Sequence, residues 1–381
     1  MARYDGPIVD LDVHHRPKSD KEILDYLPAP WREYATADPH SLQPMEPPST
    51  TGAAMLSNSA RRADAFPPEG GLPGSSFEMM REQLLDRHNY FRAVLTHDVG
   101  DFATHLNPYL SAAVCRAMND WNIEQWLTRD DRLAGLVVAP FGMPELAAQE
   151  IRRVGDHSQM VGVLLAGSPL GRPFGDPIYH PIYAAAAEMG LALSIHPAGS
   201  DRPNVSMRAV PGPFMTVVEF TSLQSQQAAH HISSFIVHGV FEKFPDIHLV
   251  VKEYGIAWLP GAIWRLDQHA HYLRLESPWV RRWPSEYIHD YVKLATQPIE
   301  KSHDASDGLA TLLQTVDGMD DILCFSTDYP HITFDDPDYV ARQLPHGWER
   351  KVFCDNACAA YGWDPPKPAP PGPAATAAVG G

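Results

Sequence analysis

The stretch IVDLDVHHRP, residues 8–17, decides the fold class of this chain. It begins as a short apolar, β-branched run and ends in polar side chains, which is typical of a buried strand in a parallel sheet. Side chains alternate between the two faces of a strand, so Asp12 and His14 share a face and can point at one ion. A doubly wound sheet would require a glycine-rich phosphate-binding turn after this strand. Residues 8–17 contain no glycine, which favours a barrel.

Seven further runs of this kind follow, and helix-compatible segments separate most of them. The predicted strands are Ile8–Val13, Ala93–His97, Leu133–Pro140, Met160–Ala166, Ala192–His196, Leu249–Glu253, Val292–Gln297 and Ile322–Asp328. The predicted helices are Phe77–Asn89, Tyr109–Leu127, Glu145–Val154, Ile178–Met189, Met215–Phe244, Ala257–His271, Asp307–Val316, Asp336–Gln343 and Asn356–Tyr361. Eight strands that alternate with helices predict an α/β fold, a (β/α)₈ TIM barrel in a single large domain.

Two stretches lack this pattern. Residues 38–76 are rich in proline, serine and glycine, and they predict an insertion after the first strand, either a lid at the barrel mouth or a disordered segment. Residues 364–381, DPPKPAPPGPAATAAVGG, cannot form a core and predict a flexible tail. We therefore expect a barrel over residues 1–363, interrupted by the insertion at 38–76 and followed by the tail.

The composition limits the partners of the protein. The 381 residues carry 30 Lys and Arg against 47 Asp and Glu, a net charge of −17, which argues against nucleic acid or an anionic membrane as partner. The four cysteines form no CxxC pair, and the N-terminus has no apolar signal region. We therefore expect a cytoplasmic protein that acts on a small molecule. The tryptophan-rich stretch 258–283 is either a homodimer interface or part of the barrel packing.

The predicted strand ends carry chemically active side chains. In a (β/α)₈ barrel, functional groups come from the C-terminal ends of different strands. Besides Asp12 and His14, these ends supply His196, Glu253, Gln297 and Asp328. Two imidazoles with several carboxylates suit one divalent metal ion, and the absence of cysteine argues against a closed structural zinc site. Zinc is the first expectation, and manganese is the alternative because of the oxygen-rich set.

Other residues have more than one interpretation. Glu253 is either a direct metal ligand or a base beside the metal-bound water. His231, within the helical segment AAHHISSFIVHGVF, is either an acid–base group above the barrel mouth or an ordinary histidine. Arg172 and Arg202, in loops after strands four and five, either hold a substrate carboxylate or are surface arginines. We expect substrate specificity to lie in the loops at 38–76 and 199–214.

Several segments resemble the aminocarboxymuconate-semialdehyde decarboxylase-like branch of the amidohydrolase superfamily. They are VDLDVHHRP from Val9, RAMNDWNIEQWLTRDDRLAG from Arg116, DPIYHPIYAAAAEMGLALSIHPAG from Asp176, GVFEKFPDIHLVVKEYGIAWLPGAIWRLD from Gly239, ILCFSTDYPH from Ile322 and KVFCDNACAAYGW from Lys351. The resemblance implies a distorted (β/α)₈ barrel with one catalytic divalent metal. It places the metal ligands on Asp12, His14, His196 and Asp328.

One departure from that branch shapes the expected reaction. Many of its decarboxylases have His-Gly-Gly after strand six, where this chain has Glu253-Tyr254-Gly255. Relatives with glutamate there include a metal-dependent hydrolase of carbon–carbon bonds. We therefore expect first a metal-dependent hydrolase of an amide, a lactam or a C–C bond next to a ketone, with Glu253, His231 and Asp328 as catalytic residues. The alternatives are a non-oxidative decarboxylase of an aromatic or unsaturated acid, and a non-catalytic metal-binding barrel.

Overall fold

A computed structural model describes residues 4–37, 61–97, 107–166, 171–197, 217–304 and 306–367. Within these ranges, eight strands form one sheet in sequence order, and every neighbouring pair in that order is parallel. The strands are β1 (Ile8–His15), β2 (Tyr90–His97), β3 (Leu133–Val137), β4 (Met160–Ala166), β5 (Ala192–His196), β6 (Leu249–Val251), β7 (Val292–Ala295) and β8 (Leu323–Cys324).

Backbone contacts between the first strand and the segment after β8 bring the ends of the sheet together. Leu11 N–H donates to the Phe325 carbonyl at 3.1 Å, and Asp328 N–H donates to the Asp12 carbonyl at 3.0 Å. Val13 also forms an isolated parallel bridge with Tyr329. The result is a nearly closed (β/α)₈ barrel, as the sequence predicts, with β8 reduced to two residues.

The helices connect the strands and cover the barrel. They are α1 (Asp20–Leu24), α2 (Ala29–Ala37), α3 (Phe77–Met80), α4 (Pro108–Gln125), α5 (Pro144–Val154), α6 (His180–Glu188), α7 (Val217–Val237), α8 (Val240–Lys243), α9 (Leu259–Gln268), α10 (Ala270–Glu276), α11 (Pro284–Tyr291), α12 (Gly308–Leu313), α13 (Met319–Ile322), α14 (Pro337–Gln343) and α15 (Asn356–Tyr361). Within the described ranges, no helix combines the length and apolar character that a membrane crossing requires.

Four predicted strands are too long. The predictions continue to Pro140, Glu253, Gln297 and Asp328, whereas β3, β6, β7 and β8 end two to four residues earlier. Proline has no N–H for the ladder, and a left-handed backbone, with φ of 61° at both Glu253 and Asp328, leaves the extended conformation. Beyond β8, Phe325 N–H donates to the Val352 carbonyl rather than to a neighbouring strand.

Three predicted helices are divided in the structure, among them Ala257–His271, where α9 ends at Gln268 and α10 begins at Ala270. The prediction Met215–Phe244 splits into α7 and α8 because Gly239 adopts a left-handed φ of 68° between them. The prediction Phe77–Asn89 contains only the short α3, followed by the π-helix Arg81–Leu85. Within the described ranges, four helices lie where the sequence pattern predicts none: α1, α2, α11 and α13.

The second part of the predicted insertion lies on the barrel. Residues 38–60 are outside the described ranges, and so are residues 368–381 of the predicted tail. Gly74 has a φ of 88°, and its carbonyl accepts from Arg16 N–H at 3.0 Å. A Cβ at Gly74 would lie 3.0 Å from the His14 carbonyl oxygen, so only glycine allows this approach to the end of β1. Arg62 N–H donates to the Pro330 carbonyl, which anchors the segment beside the loop after β8.

Candidate metal centre

Strand β1 contributes two buried polar side chains to the centre of the barrel. Asp12 and His14 are both buried and lie two residues apart, as the alternation of a strand requires. His14 Nε2 lies 3.8 Å from Asp12 Oδ1. The two side chains therefore face the same space at the C-terminal end of β1.

The ends of β5 and β6 add an imidazole and a carboxylate. His196 is the last residue of β5, and its Nε2 lies 3.3 Å from Asp12 Oδ2. The same nitrogen lies 2.8 Å from Glu253 Oε2. Glu253 has a left-handed backbone two residues after β6 ends, which places its side chain beside His196.

Asp328 reaches the same region from the loop after β8, and several donors hold its carboxylate. Gln297 Nε2 and Thr333 Oγ1 both donate to Asp328 Oδ2, at 2.9 and 2.7 Å. His331 Nδ1 is hydrogen-bonded to Asp328 Oδ1, and His14 Nε2 lies 3.3 Å from that oxygen. Burial opposes ionisation, but His331 and His14 outweigh it and lower the pKa of Asp328 to about 2.

These side chains form two overlapping clusters of possible metal ligands. One contains Asp12, His14, His196 and Glu253, and the other contains His14, Glu253, Asp328 and His331. Within each cluster, the ligand atoms all lie within 4.8 Å of one another. The four predicted metal ligands divide between the two clusters: Asp12 and His196 lie in the first, Asp328 lies in the second, and His14 lies in both together with Glu253. His331 is not among the ligands predicted from the sequence, although it lies in the segment FSTDYPH only three residues after Asp328.

The donor set fits a divalent cation. Asp12 Oδ2, His14 Nε2 and His196 Nε2 are buried and make no hydrogen bond of normal geometry within the described part of the chain. Buried polar atoms are rarely left in that state, and converging lone pairs of nitrogen and oxygen are what a metal ion requires. Burial works against a charged His196, yet Asp12 and Glu253 raise its pKa well above the ordinary value. A positive charge between the carboxylates of Asp12 and Glu253 is therefore favoured.

A buried aspartate joins β1 to the loop that carries Asp328. Asp10 Oδ1 accepts from the N–H groups of Asp12 and Thr327 at 3.1 and 3.0 Å. Its Oδ2 accepts from the hydroxyls of Thr327 and Tyr90 at 2.6 and 3.0 Å. Burial raises the pKa of Asp10 to about 7. Asp10 thereby aligns the two segments that supply Asp12 and Asp328.

His231 lies outside both clusters of possible ligands. It is a buried residue of α7, and its Nδ1 accepts a hydrogen bond from Phe174 N–H at 3.1 Å. Its ring also packs on the Phe174 ring, with the centroids 4.9 Å apart. Burial lowers the pKa of His231 to about 3. The ring is therefore neutral near pH 7, with its proton on Nε2.

Two arginines are predicted as possible carboxylate-binding groups, and the structure describes one of them, Arg172. Arg172 is largely exposed, and its Nη1 lies 3.0 Å from Asp176 Oδ2. Arg202 lies outside the described residues, and so does the proposed specificity loop at 199–214.

The comparisons with known proteins agree with this architecture. A family model described as amidohydrolase matches residues 11–363. A gamma-resorcylate decarboxylase of Rhizobium radiobacter is 24% identical over 286 residues, which cover 70% of this chain and 84% of that protein.

Solved structures show the same fold. The 5-carboxyvanillate decarboxylase of Sphingomonas paucimobilis has a TM-score of 0.63 at 19% identity, with 95% of this chain and 100% of that chain covered. The corresponding enzyme of Novosphingobium aromaticivorans, solved with bound manganese, has a TM-score of 0.62 at 18% identity. That match covers 94% of this chain and 96% of the other chain.

These relatives contradict the first functional expectation. In the sequence, Glu253 favours hydrolysis, but the relatives with a named reaction described above are decarboxylases. A single residue after β6 is therefore a poor guide to the reaction, since the rest of the donor set is compatible with either chemistry. The expectation of a hydrolase is wrong.

Proposed function

Since this chain belongs to the amidohydrolase family, we propose that it is a metal-dependent, non-oxidative decarboxylase of a hydroxylated aromatic carboxylic acid. We assign it to the aminocarboxymuconate-semialdehyde decarboxylase-like branch. One observation carries the proposal: a buried nitrogen and oxygen donor set lies at the strand ends of a chain that is 24% identical to a gamma-resorcylate decarboxylase.

We assign metal binding to Asp12, His14, His196 and Asp328. The oxygen-rich set suits manganese as well as zinc, and a structural neighbour carries manganese. When bound, a divalent ion would supply Lewis acidity to the carboxylate or neighbouring hydroxyl of the substrate. Metal analysis of the purified protein distinguishes zinc from manganese.

The reaction replaces a carboxylate on carbon with a proton and releases CO₂, so one group must deliver that proton. We assign this step to Glu253, which belongs to both ligand clusters and is less buried than Asp12 or Asp328. Its carboxylate would take up a proton after the anionic substrate has bound and would then deliver it to the substrate carbon. Asp328 holds its charge and orientation through Gln297 and Thr333, which favours a role as ligand.

We also propose that His231 contacts the substrate. Its Nδ1 is engaged by Phe174 N–H, so the neutral ring offers Nε2–H as a hydrogen-bond donor. With a pKa of about 3, the imidazole is a poor proton carrier at neutral pH, which favours substrate binding over proton transfer.

The experiment that tests this function is turnover of hydroxybenzoates in D₂O with metal-loaded protein. We expect CO₂ release and one deuterium on the product carbon that lost the carboxylate. Incorporation of ¹⁸O from labelled water into the product, without CO₂, would instead indicate hydrolysis and overturn the proposal. Metal uptake without turnover of any acid in the panel would favour the non-catalytic barrel.

We also propose a homodimer through the region 258–283, where several large apolar side chains are about half exposed: Trp264, Trp279 and Trp283. Sedimentation at two protein concentrations tests this assembly. A cytoplasmic location stays a prediction from the sequence.

A further inference from the structure

A lysine that no step above uses lies directly behind the candidate metal centre. Lys252 follows β6 and precedes Glu253, and its side chain is completely buried. Its Nζ donates to the Leu11 carbonyl at 2.9 Å and to Thr96 Oγ1 at 2.6 Å, and it lies 3.2 Å from Asp12 Oδ1. An ammonium group has three donors, and these three oxygens match them.

The contacts of Lys252 make the two oxygens of Asp12 unequal. Oδ1 accepts from Thr96 Oγ1 and faces the ammonium of Lys252. Oδ2 makes no hydrogen bond of normal geometry to a described residue and lies 3.3 Å from His196 Nε2. Asp12 therefore presents one oxygen to the centre of the cluster while the other is held from behind.

Lys252 also changes the charge of a buried site. When ionised, Asp12, Glu253 and Asp328 carry three negative charges, one more than a divalent ion balances. A charge buried without compensation is strongly disfavoured, and an excess negative charge repels an anionic ligand. A bound divalent ion and the ammonium of Lys252 would together supply three positive charges against these three negative ones.

We propose that Lys252 is the charge-balancing residue of the metal centre, which makes the loaded site neutral and thereby able to accept an anionic substrate. It acts through Asp12 and does not touch the reacting atoms. The inference rests on the metal site of the proposed function, but it does not depend on the reaction.

The test compares two ligands of equal shape and different charge. The probes are 2-hydroxybenzenesulfonate, an anion, and 2-hydroxybenzenesulfonamide, used at a pH where it is neutral. Neither has a carboxylate to lose. Binding is measured by calorimetry at saturating metal, with metal content and circular dichroism checked for every variant. The readout is the ratio of the affinity for the anion to the affinity for the neutral ligand.

Lys252→Met leaves an excess negative charge, so we expect this ratio to fall about tenfold or more. Lys252→Met combined with Asp12→Asn restores the balance and should restore the ratio, whereas Asp12→Asn alone should raise it. Lys293→Met is the matched control, because Lys293 is a buried lysine of β7 whose Nζ binds the Asp321 carbonyl away from the cluster. That variant should keep the wild-type ratio.

A wild-type ratio in folded, metal-loaded Lys252→Met would overturn the inference, and so would a double variant as impaired as Lys252→Met. If Lys252→Met does not fold, the double variant and Asp12→Asn test the inference instead. The double variant buries no unpaired charge and is therefore expected to fold. The inference then requires a wild-type ratio in the double variant and a higher one in Asp12→Asn. A wild-type protein that takes up no metal would overturn the proposed function together with the inference.

Discussion

His14 Nε2 lies 3.3 Å from Asp328 Oδ1, although the two residues belong to the first strand and to the loop after the last. The contact depends on the segment after β8 bonding back to β1, for example through Asp328 N–H and the Asp12 carbonyl. The candidate metal centre therefore forms with barrel closure, and its ligands should fail together when either side is altered.

Replacing Asp328 tests the ligand set. We expect Asp328→Asn to lower the metal content of protein purified in the presence of Mn²⁺ or Zn²⁺, with affinity reduced at least tenfold, because one charged donor is lost. Metal analysis by mass spectrometry checks this. Asp335→Asn is the control, since Asp335 is a buried carboxyl outside both ligand clusters that accepts from Ile299 N–H. Equal metal content in Asp328→Asn and the wild type would contradict the assignment.

Replacing Glu253 distinguishes a role as metal ligand from a role as proton donor. If Glu253 delivers the proton, Glu253→Gln should retain the metal and lose about 10²–10⁴-fold in kcat for decarboxylation. Glu300→Gln is a suitable control because the Glu300 carboxylate binds the N–H groups of Ile256 and Ala257 instead of the centre. Loss of metal from Glu253→Gln would make Glu253 a ligand, and full activity would remove it from the mechanism.

The regular part of the barrel could be predicted from the sequence because local patterns determine it. Strands β4 and β5 begin and end where the apolar runs predict. Asp12 and His14 share a face because they are two residues apart in a strand, and His196 joins them as the final residue of β5. In each case neighbouring residues carry enough information.

The rest could not be predicted, because distant partners determine it. Asp328 and Glu253 both have a left-handed backbone, which no apolar pattern indicates. The loop around Asp328 is held by Asp10, whose carboxylate accepts from Thr327, and this pairing becomes visible only in the folded barrel. In the sequence, nothing distinguishes Lys252 from an ordinary residue at the end of a strand. Its contacts with Leu11 and Thr96 become visible only in the folded barrel.

The buried His231 should make stability depend on pH in a defined direction. Its pKa falls from 6.5 in the unfolded chain to about 3 in the folded protein, so between these values the unfolded chain binds the additional proton. The contribution of His231 is fully present above pH 6.5 and is lost progressively as the pH falls towards 3. His231→Asn keeps an acceptor for Phe174 N–H but does not titrate, so it should lose less stability on acidification.

Urea unfolding of metal-free protein at several pH values checks this prediction, with the exposed His346→Asn as control. The difference in unfolding free energy between the wild type and His231→Asn should change by up to about 1.4 kcal/mol per pH unit below 6.5. Parallel pH profiles for the two proteins would show that His231 is not held neutral in the fold.

Replacing Asp10 tests whether barrel closure supports the metal centre. In Asp10→Ala, the N–H groups of Asp12 and Thr327 lose their acceptor, and each buried unsatisfied group costs about 1–3 kcal/mol. We expect a clear loss of thermal stability together with weaker metal binding, because the loop carrying Asp328 is no longer aligned with β1. Asp10→Asn retains one acceptor oxygen and should fall between the wild type and Asp10→Ala. If Asp10→Ala is destabilised but binds metal as tightly as the wild type, barrel closure does not support the metal centre.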